Sequence, residues 1–394
     1  MTGCYVSWRC GLLALLAAAV SGAACQQPED ALERPGRPQL LIVIDGLRPD
    51  LVTADLTPHL HRLSQRGVVF ISHHSVFPTV TRVNAASIST GAYPAVATEL
   101  RPDVAILWLG NLDGASHASG VGAPAARTAL AAVDAEIARI DSALDDVNFL
   151  VASDHGFSTH TGEMDLNALL APFTGTLTDG SPDVVRAGGA IYLRDGDQDK
   201  LTAIVHALQR TAGYGAIFTR PAAPGDPEGI LPGTLSRALI RWDHPRAADI
   251  LVSADWTRDT NEHGLAGTTS QGGVAGHGSV SPFDVHATLI AVGPDFRQGL
   301  VTDLPTANVD LAPTLLHVLG LDAPRTMQGR ALVEALRDGP FPTSMRVEST
   351  VHTSESASDA APYAVSVHMS TVDGHQYLDY AEVRRSGGRE NGLP

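Results

Sequence analysis

Acidic residues and histidines stand where three apolar runs of the sequence end. Asp45 closes the first run, Asp113 and His117 follow the second, and Asp154 and His155 close the third. Carboxylates crowded together would repel one another and take up protons unless a cation balanced their charge. Zinc accepts aspartate and histidine as ligands, and the spacing Asp113-x-x-x-His117 lets a loop or one helical turn present both to one ion. The pattern therefore predicts a divalent metal site.

Two further stretches carry candidate groups. His277 lies between two glycines, which permit a close approach of the backbone to a site. Such a histidine is more often a surface residue, but the other candidate ligands favour metal binding. Thr79 follows a proline and precedes a predicted helix, where a hydroxyl usually caps the helix. The same position would suit a nucleophile, because a helix N-terminus stabilises negative charge, so both interpretations stay open.

The elements that must position these groups alternate between strands and helices. Continuous apolar runs predict buried strands, and amphipathic or capped segments predict helices. This alternation is typical of the α/β class, with a mostly parallel sheet covered by helices on both faces. In such sheets, ligand sites lie beyond the carboxyl ends of the strands. The predicted strands are 39–45, 103–110, 147–154 and 286–293, and the predicted helices are 57–67, 81–91, 126–146 and 308–320.

Composition and charge limit the class of protein. The chain has 394 residues, of which 44% are hydrophobic, enough for a large core. Its formal net charge of -16 would repel the backbone of DNA or RNA, so nucleic-acid binding is not expected. We predict a catalytic domain at 39–338, with a loop-rich inserted subdomain at 156–276, and a C-terminal tail with short strands at 339–394.

The N-terminal residues 1–25 have the pattern of a signal peptide, followed by a polar linker at 26–38. Arg9 precedes an apolar run that is too short to span a bilayer comfortably, and small residues follow it. Cys25 resembles the lipidated cysteine of a bacterial lipoprotein, so membrane attachment through Cys25 and simple cleavage near Ala23 or Ala24 both stay open. We predict an exported protein, which is periplasmic, secreted or held at the cell surface.

Taken together, these motifs resemble the alkaline phosphatase superfamily, and most closely its type I phosphodiesterase/nucleotide pyrophosphatase family. The resemblance covers roughly 39–335, and the order of the motifs makes it specific. It rests on Asp45, on FPTVT with Thr79, on Asp113 and His117, on SDHGFSTH with Asp154 and His155, on GHG with His277, and on NVDLAPTLLHVLGL followed by MQGRAL.

The resemblance implies an enzyme with two zinc ions that acts on small phosphate-ester substrates. It implies that Thr79 attacks phosphorus and forms a phospho-threonine intermediate in a two-metal site. The expected reaction is hydrolysis of phosphodiesters or nucleotide pyrophosphates. A phosphomonoesterase or phosphonate hydrolase, and a catalytically impaired metal-binding homologue, remain alternatives. By the resemblance, Asp45, Thr79, Asp154 and His155 would hold one ion, and Asp113, His117 and His277 the other.

The sequence departs from the family in one place. A long segment normally follows the motif TGxYP and carries an asparagine that helps to bind a phosphoryl oxygen. Here STGAYPAVATEL passes almost directly into RPDVAILWLG, so this segment is expected to be missing. Asn84 is close in sequence, but we do not assign it the role of that asparagine. The sheet is expected to lose an element and the substrate pocket one wall.

Overall fold

A six-stranded central sheet forms the framework of the protein. The structure is a computed structural model, and it describes residues 37–88, 103–356 and 362–385. Five strands of the sheet run in one direction, and the strand Leu289–Val292 runs against them. The predicted α/β class with a mostly parallel sheet is therefore confirmed. The order across the sheet is Leu300–Thr302, Val68–Phe70, Leu289–Val292, Asn148–Ala152, Gln39–Ile44 and Val104–Leu109.

Helices cover both faces of this sheet, as the sequence predicts. Side chains of a strand point alternately to opposite faces. On one face, Ile42 packs with the apolar sides of helices Pro58–Arg66 and Pro124–Ala143. On the other face, Leu41 packs with helix Leu311–Val318. Each fully buried side chain of this kind contributes about 1.5–3 kcal/mol to folding, which explains why a continuous apolar run becomes an interior strand.

The helices agree with the predicted segments except at their ends. The helix predicted at 126–146 begins two residues earlier, at Pro124, because proline is well suited to the first turn. The segment 308–320 divides into a short 3-10 turn and an α-helix, and the predicted end of helix 81–91 lies outside the described residues. The α-helices are Pro58–Arg66, Thr81–Ile88, Asn111–Ser119, Pro124–Ala143, Leu166–Leu170, Gln198–Arg210, Pro282–Val285 and Leu311–Val318. The 3-10 turns are Pro49–Leu51, Ala171–Phe173, Asn308–Asp310, Val333–Ala335 and Pro342–Ser344.

Four smaller sheets complete the described part of the chain. A five-stranded sheet contains Leu235–Ser236, Tyr214–Thr219, Ile250–Ala254, Ala190–Leu193 and Val184–Ala187. A four-stranded sheet contains Trp256–Thr260, Ala266–Thr269, Ser158–His160 and Ala275–Gly276. A two-stranded sheet pairs Thr306–Ala307 with His73–His74. The C-terminal sheet contains Val347–Glu355, Tyr363–Val372 and His375–Arg385, which confirms the predicted small C-terminal β structure. The domain boundaries given above stay predictions.

The strand Val104–Leu109 differs from the buried strand that the sequence predicts at this place. All six of its residues are half-buried, whereas all six of its neighbour Gln39–Ile44 are buried. The reason is its place at the edge of the central sheet, where no described strand pairs with its outer side. It is also the strand that follows the point at which a segment of the family is expected to be missing.

No helix within the described ranges is both long and apolar enough to cross a membrane.

Candidate active site

Three neighbouring parallel strands direct their carboxyl ends to one place. Asp45 comes directly after strand Gln39–Ile44, and Asp154 comes shortly after strand Asn148–Ala152. Asp113 lies in the first turn of the helix that follows the edge strand, with His117 one turn further on. Because adjacent parallel strands end at the same edge of a sheet, the fold alone gathers these carboxylates.

The first group of candidate ligands contains Asp45, Asp154 and His155, and all three are buried. His155 Nε2 lies 3.3 Å from Asp45 Oδ1 and 3.2 Å from Asp154 Oδ2. The other carboxylate oxygens have ordinary donors: Asp45 Oδ2 accepts from Trp108 Nε1 at 3.0 Å, and Asp154 Oδ1 accepts from the amide of Gly46 at 3.2 Å. The two oxygens that face His155 are buried and have no hydrogen-bond partner among the described residues.

The second group contains Asp113, His117 and His277. Asp113 Oδ1 lies 3.3 Å from His117 Nε2 and 3.5 Å from His277 Nε2, and the two Nε2 atoms are 3.2 Å apart. The rings of His277 and His155 stack with their centroids 3.4 Å apart, so the two groups adjoin. The structure thus brings together all six predicted aspartate and histidine ligands, and their assignment as ligands stays a prediction.

The hydrogen bonds of the three histidines define their tautomers. The Nδ1 atom of His155 donates to the Gly156 carbonyl at 2.9 Å, and that of His117 donates to the Ala275 carbonyl at 3.0 Å. In the same way, His277 Nδ1 donates to a backbone carbonyl at 2.6 Å. Because a carbonyl only accepts, each Nδ1 carries a proton, and in the neutral form of each ring Nε2 presents a lone pair. Metal-binding histidines are commonly held in this way.

These donors fit divalent cations. Three Nε2 lone pairs point toward carboxylate oxygens that lack hydrogen-bond partners, on Asp45, Asp113 and Asp154. Without a cation, such buried groups cost free energy because nothing replaces the water that they lose. Nitrogen and carboxylate oxygen are ligands that zinc accepts, and two adjoining groups of this composition suit two ions.

The ionisation of the first group shows the same need for positive charge. Burial, together with the charge of Asp45, raises the pKa of Asp154 to about 8. Burial also raises the pKa of Asp45, and burial with the nearby His277 holds the pKa of His155 well below its usual range. Without metal, the pocket therefore favours neutral forms, and a divalent cation would favour the ionised carboxylates instead.

The structure places Thr79 away from open space, and its role as nucleophile stays a prediction. Its hydroxyl is fully buried, donates to the carbonyl of Ser279 at 3.0 Å, and accepts from the amide of Gly278 at 2.8 Å. The hydroxyl beside the ligands belongs to Thr81, whose Oγ1 lies 3.2 Å from His155 Nε2. Thr81 is also the first residue of helix Thr81–Ile88, the place at which a nucleophile was expected.

Sequence reasoning did not single out Thr81, which is only two residues from Thr79 in FPTVT. The predicted helix does begin at Thr81, and a hydroxyl at the first helical position was the signal that could have identified it. The hydrogen-bond partners of the Thr79 hydroxyl lie about 200 residues away in the chain, and no local sequence pattern predicts them.

Asn84 has a structural role. Its Oδ1 accepts from the amide of Val76 at 2.7 Å and from Asn308 Nδ2 at 3.0 Å, and its Nδ2 donates to the carbonyl of Val76 at 3.1 Å. Asn308 also donates to the carbonyl of Asp154 at 2.9 Å. This pair of asparagines holds the segment before the helix against the first ligand group, and sequence reasoning did not find it.

The fold brings two adjoining groups of candidate metal ligands together at the carboxyl edge of a mostly parallel sheet. The model of the type I phosphodiesterase / nucleotide pyrophosphatase family matches residues 39–97 and 95–265, more than half of the chain. The chain belongs to this family, and it is an enzyme of the phosphodiesterase/nucleotide pyrophosphatase type. The family is metal-dependent and acts on small phosphate esters.

The fold is also similar to a solved structure, that of murine ectonucleotide pyrophosphatase / phosphodiesterase 5. The TM-score is 0.54 at 16% sequence identity, over 76% of this chain and 100% of that chain. At this identity, the similarity supports the fold alone. The two parts of the family match meet at residues 95–97, which is where the sequence predicts a missing segment.

Proposed function

We propose that the chain hydrolyses phosphodiesters or nucleotide pyrophosphates, with two zinc ions and with Thr81 as the nucleophile. The observation that carries this proposal is the position of the Thr81 hydroxyl. It lies at a helix N-terminus, 3.2 Å from His155 Nε2, beside buried carboxylate oxygens that have no hydrogen-bond partner. A hydroxyl in such a place can be activated as a nucleophile when a metal binds it.

The proposed ligands divide as the resemblance implies, with one replacement. Thr81 takes the place of Thr79 in the first group, and the second group is unchanged. When bound, the two ions would balance the carboxylates, lower the pKa of the hydroxyl and polarise a phosphoryl oxygen. The first group is then Asp45, Thr81, Asp154 and His155, and the second is Asp113, His117 and His277.

The chain itself supplies the nucleophile and its surroundings. A bond forms between Thr81 Oγ1 and phosphorus while the bond from phosphorus to the leaving oxygen breaks, and the hydroxyl proton ends on the leaving group. The N-terminal amides of helix Thr81–Ile88 favour the negative charge that gathers on the phosphoryl oxygens. Water then cleaves the bond between Oγ1 and phosphorus, which releases the phosphomonoester and restores the threonine.

The test compares rates on two substrates with the zinc-loaded, purified mature chain. We expect faster turnover of bis-p-nitrophenyl phosphate, a diester, than of p-nitrophenyl phosphate, a monoester. Faster turnover of the monoester would favour a phosphomonoesterase. Two bound zinc ions without turnover of either substrate would favour a catalytically impaired homologue. The half-buried edge strand Val104–Leu109 motivates this alternative, because it follows the point at which a segment of the family is expected to be missing.

Export is a separate proposal. We propose that residues 1–25 direct the chain out of the cytoplasm, because a charged start, a short apolar run and small residues follow one another there. Mass spectrometry of the N-terminus from soluble and membrane fractions would test this. A lipidated Cys25 would show membrane attachment, cleavage near Ala24 a soluble product, and an intact Met1 in both fractions would contradict export.

A further inference from the structure

Thr79 joins the two segments that carry the proposed nucleophile and the last proposed ligand. Its hydroxyl donates to the carbonyl of Ser279 at 3.0 Å and accepts from the amide of Gly278 at 2.8 Å. Its own carbonyl accepts from His277 Nδ1 at 2.6 Å. One buried residue therefore binds three consecutive residues of the segment 277–279, through both its side chain and its backbone.

The same segment is held from its other side by Asp284. This carboxylate is fully buried, and its Oδ2 accepts from the amide of Ser279 at 2.9 Å and from the Ser279 hydroxyl at 2.6 Å. Its Oδ1 accepts from the hydroxyl of Ser158. Segment 277–279 thus has fixed partners on both sides, although His277 lies between two glycines.

The backbone of the segment also lies near the turn that contains Thr79. Gly278 has a φ of +109°, which side chains rarely permit, and a Cβ placed there would make ordinary contact with Val80 Cγ1 at 3.4 Å. The backbone conformation, and not crowding, is therefore what requires glycine at this position. A change at Thr79 acts on 277–279 directly through its hydrogen bonds.

The consequence reaches both ligand groups. The bond from His277 Nδ1 to the Thr79 carbonyl fixes the tautomer and directs Nε2 toward Asp113 and His117. Thr81, two residues after Thr79, has its hydroxyl beside the first group. The position of Thr79 therefore determines the distance between the nucleophile and the second group.

We propose that Thr79 is a positioning residue that fixes His277, and with it the second metal group, relative to the nucleophile Thr81. This inference rests on the proposed function. It assigns Thr79 no contact with the substrate and no part in bond making. Its effect should therefore appear in metal binding as well as in turnover.

The decisive pair of variants is Thr79→Val and Thr79→Ser. Valine keeps the volume and the backbone carbonyl but removes both hydrogen bonds of the hydroxyl, whereas serine keeps them. We expect Thr79→Val to bind the second zinc ion about 10- to 100-fold more weakly, as is typical when a partner that orients a metal ligand is lost. We expect kcat to fall by a similar factor with KM little changed, and Thr79→Ser to restore both.

Zinc is measured by equilibrium dialysis, and the surroundings of the second ion by the absorption spectrum after cobalt substitution. Thr81→Ala is the control that separates this inference from the proposed function, since it should bind the second ion with wild-type affinity and lack turnover. Activity in Thr81→Ala would contradict the proposed nucleophile and leave the metal result for Thr79 intact. Two ions bound by Thr79→Val with wild-type affinity and spectrum would overturn the inference.

A second variant decides the matter if circular dichroism shows that Thr79→Val does not fold. Asp284→Asn changes the acceptor on the far side of segment 277–279 and touches neither threonine. Weaker binding of one ion would support a segment whose position controls His277. Unchanged binding of both ions in Asp284→Asn would contradict it.

Discussion

The two ligand groups differ in how far they are buried. The side chains of Asp154 and His155 are 0% exposed, whereas that of His117 is 44% exposed and that of Asp113 is 21% exposed. The first group lies directly at the strand ends inside the core, and the second lies on a helix that follows the edge strand. Water can therefore replace a ligand in the second group far more easily than in the first.

The two threonines of FPTVT contact different groups. The hydroxyl of Thr81 faces His155 of the buried group, and the carbonyl of Thr79 holds His277 of the more exposed group. The buried group has the properties of a site that activates a nucleophile, since a low dielectric strengthens its electrostatic interactions. The exposed group has the access that water and substrate require.

The largest expected effect is at Thr81. Thr81→Ala should reduce turnover at least about 1,000-fold, because a substitution that removes a nucleophile removes the covalent route. Zinc content should stay near the wild-type value, since six other ligands remain. Steady-state kinetics with metal analysis measure both, and Thr79→Ser is the matched control. Wild-type turnover in Thr81→Ala would show that the hydroxyl of the buried group is not the nucleophile.

The second-largest expected effect is the loss of kcat when one proposed ligand of each group is replaced, measured at saturating zinc. We expect Asp154→Asn to lower kcat about 100-fold or more and His117→Ala only about 10-fold, because water can fill the vacated position at the exposed group. Kinetics over a range of zinc concentrations give both values, and added zinc should rescue His117→Ala better. Equal losses that zinc does not rescue would remove the functional distinction between the groups.

Trp108 tests the support of the buried group from the edge strand. Its Nε1 donates to Asp45 Oδ2 at 3.0 Å, and Trp108→Phe removes that bond while it keeps most of the ring. We expect zinc to bind about 10-fold more weakly to the first group, with the second group unaffected. Leu107→Phe, on the same half-buried strand, is the control for a general disturbance of the edge. Weakening confined to the second group would contradict the assignment.

The smallest effect is on the stability of the metal-free protein. The pKa of Asp154 is raised to about 8, so its folded form favours the proton, and stability is lost as pH rises toward that value. Between pH 6.5 and 8, the free energy of unfolding should fall on the order of 1 kcal/mol. The lowered pKa of His155 acts in the opposite direction, but below pH 6.5, outside this window. Urea unfolding with a chelator present measures the change.

Asp154→Asn sharpens this comparison, because it removes the carboxyl group of Asp154. The decline between pH 6.5 and 8 should become clearly smaller in this variant, while Asp113→Asn should remove only the part that the raised pKa of His117 beside it contributes. Burial raises the pKa of Asp113, but the adjoining His117 and His277 outweigh that effect and hold it below its usual range. A decline that Asp154→Asn leaves unchanged would mean that the buried carboxyl is not its source.

The sequence predicts the centre of the fold well for a physical reason. Strand 39–44 is apolar at nearly every position because both of its faces are covered. Asp45 comes directly after it, at the carboxyl end where ligand sites lie in such sheets. The same logic locates Asp154 and Asp113. The spacing of four residues between Asp113 and His117 predicts that one helical turn presents both side chains, and both lie on helix Asn111–Ser119.

Other features depend on contacts that lie far apart in the chain. The choice between Thr79 and Thr81 depends on segment 277–279, and the bonds of Asn84 depend on Asn308. The half-buried state of Val104–Leu109 depends on the strands that do or do not pair with it. Local patterns carry no information on such partners, so these features emerge only from the folded structure.

The most direct test of the account is to trap the covalent intermediate. The zinc-loaded enzyme is quenched during turnover of bis-p-nitrophenyl phosphate, digested, and analysed by tandem mass spectrometry of the peptide that contains FPTVT. The account predicts a p-nitrophenyl phosphoryl group on Thr81 and an unmodified Thr79. A phosphoryl group on Thr79, or turnover without any modified threonine, would contradict it.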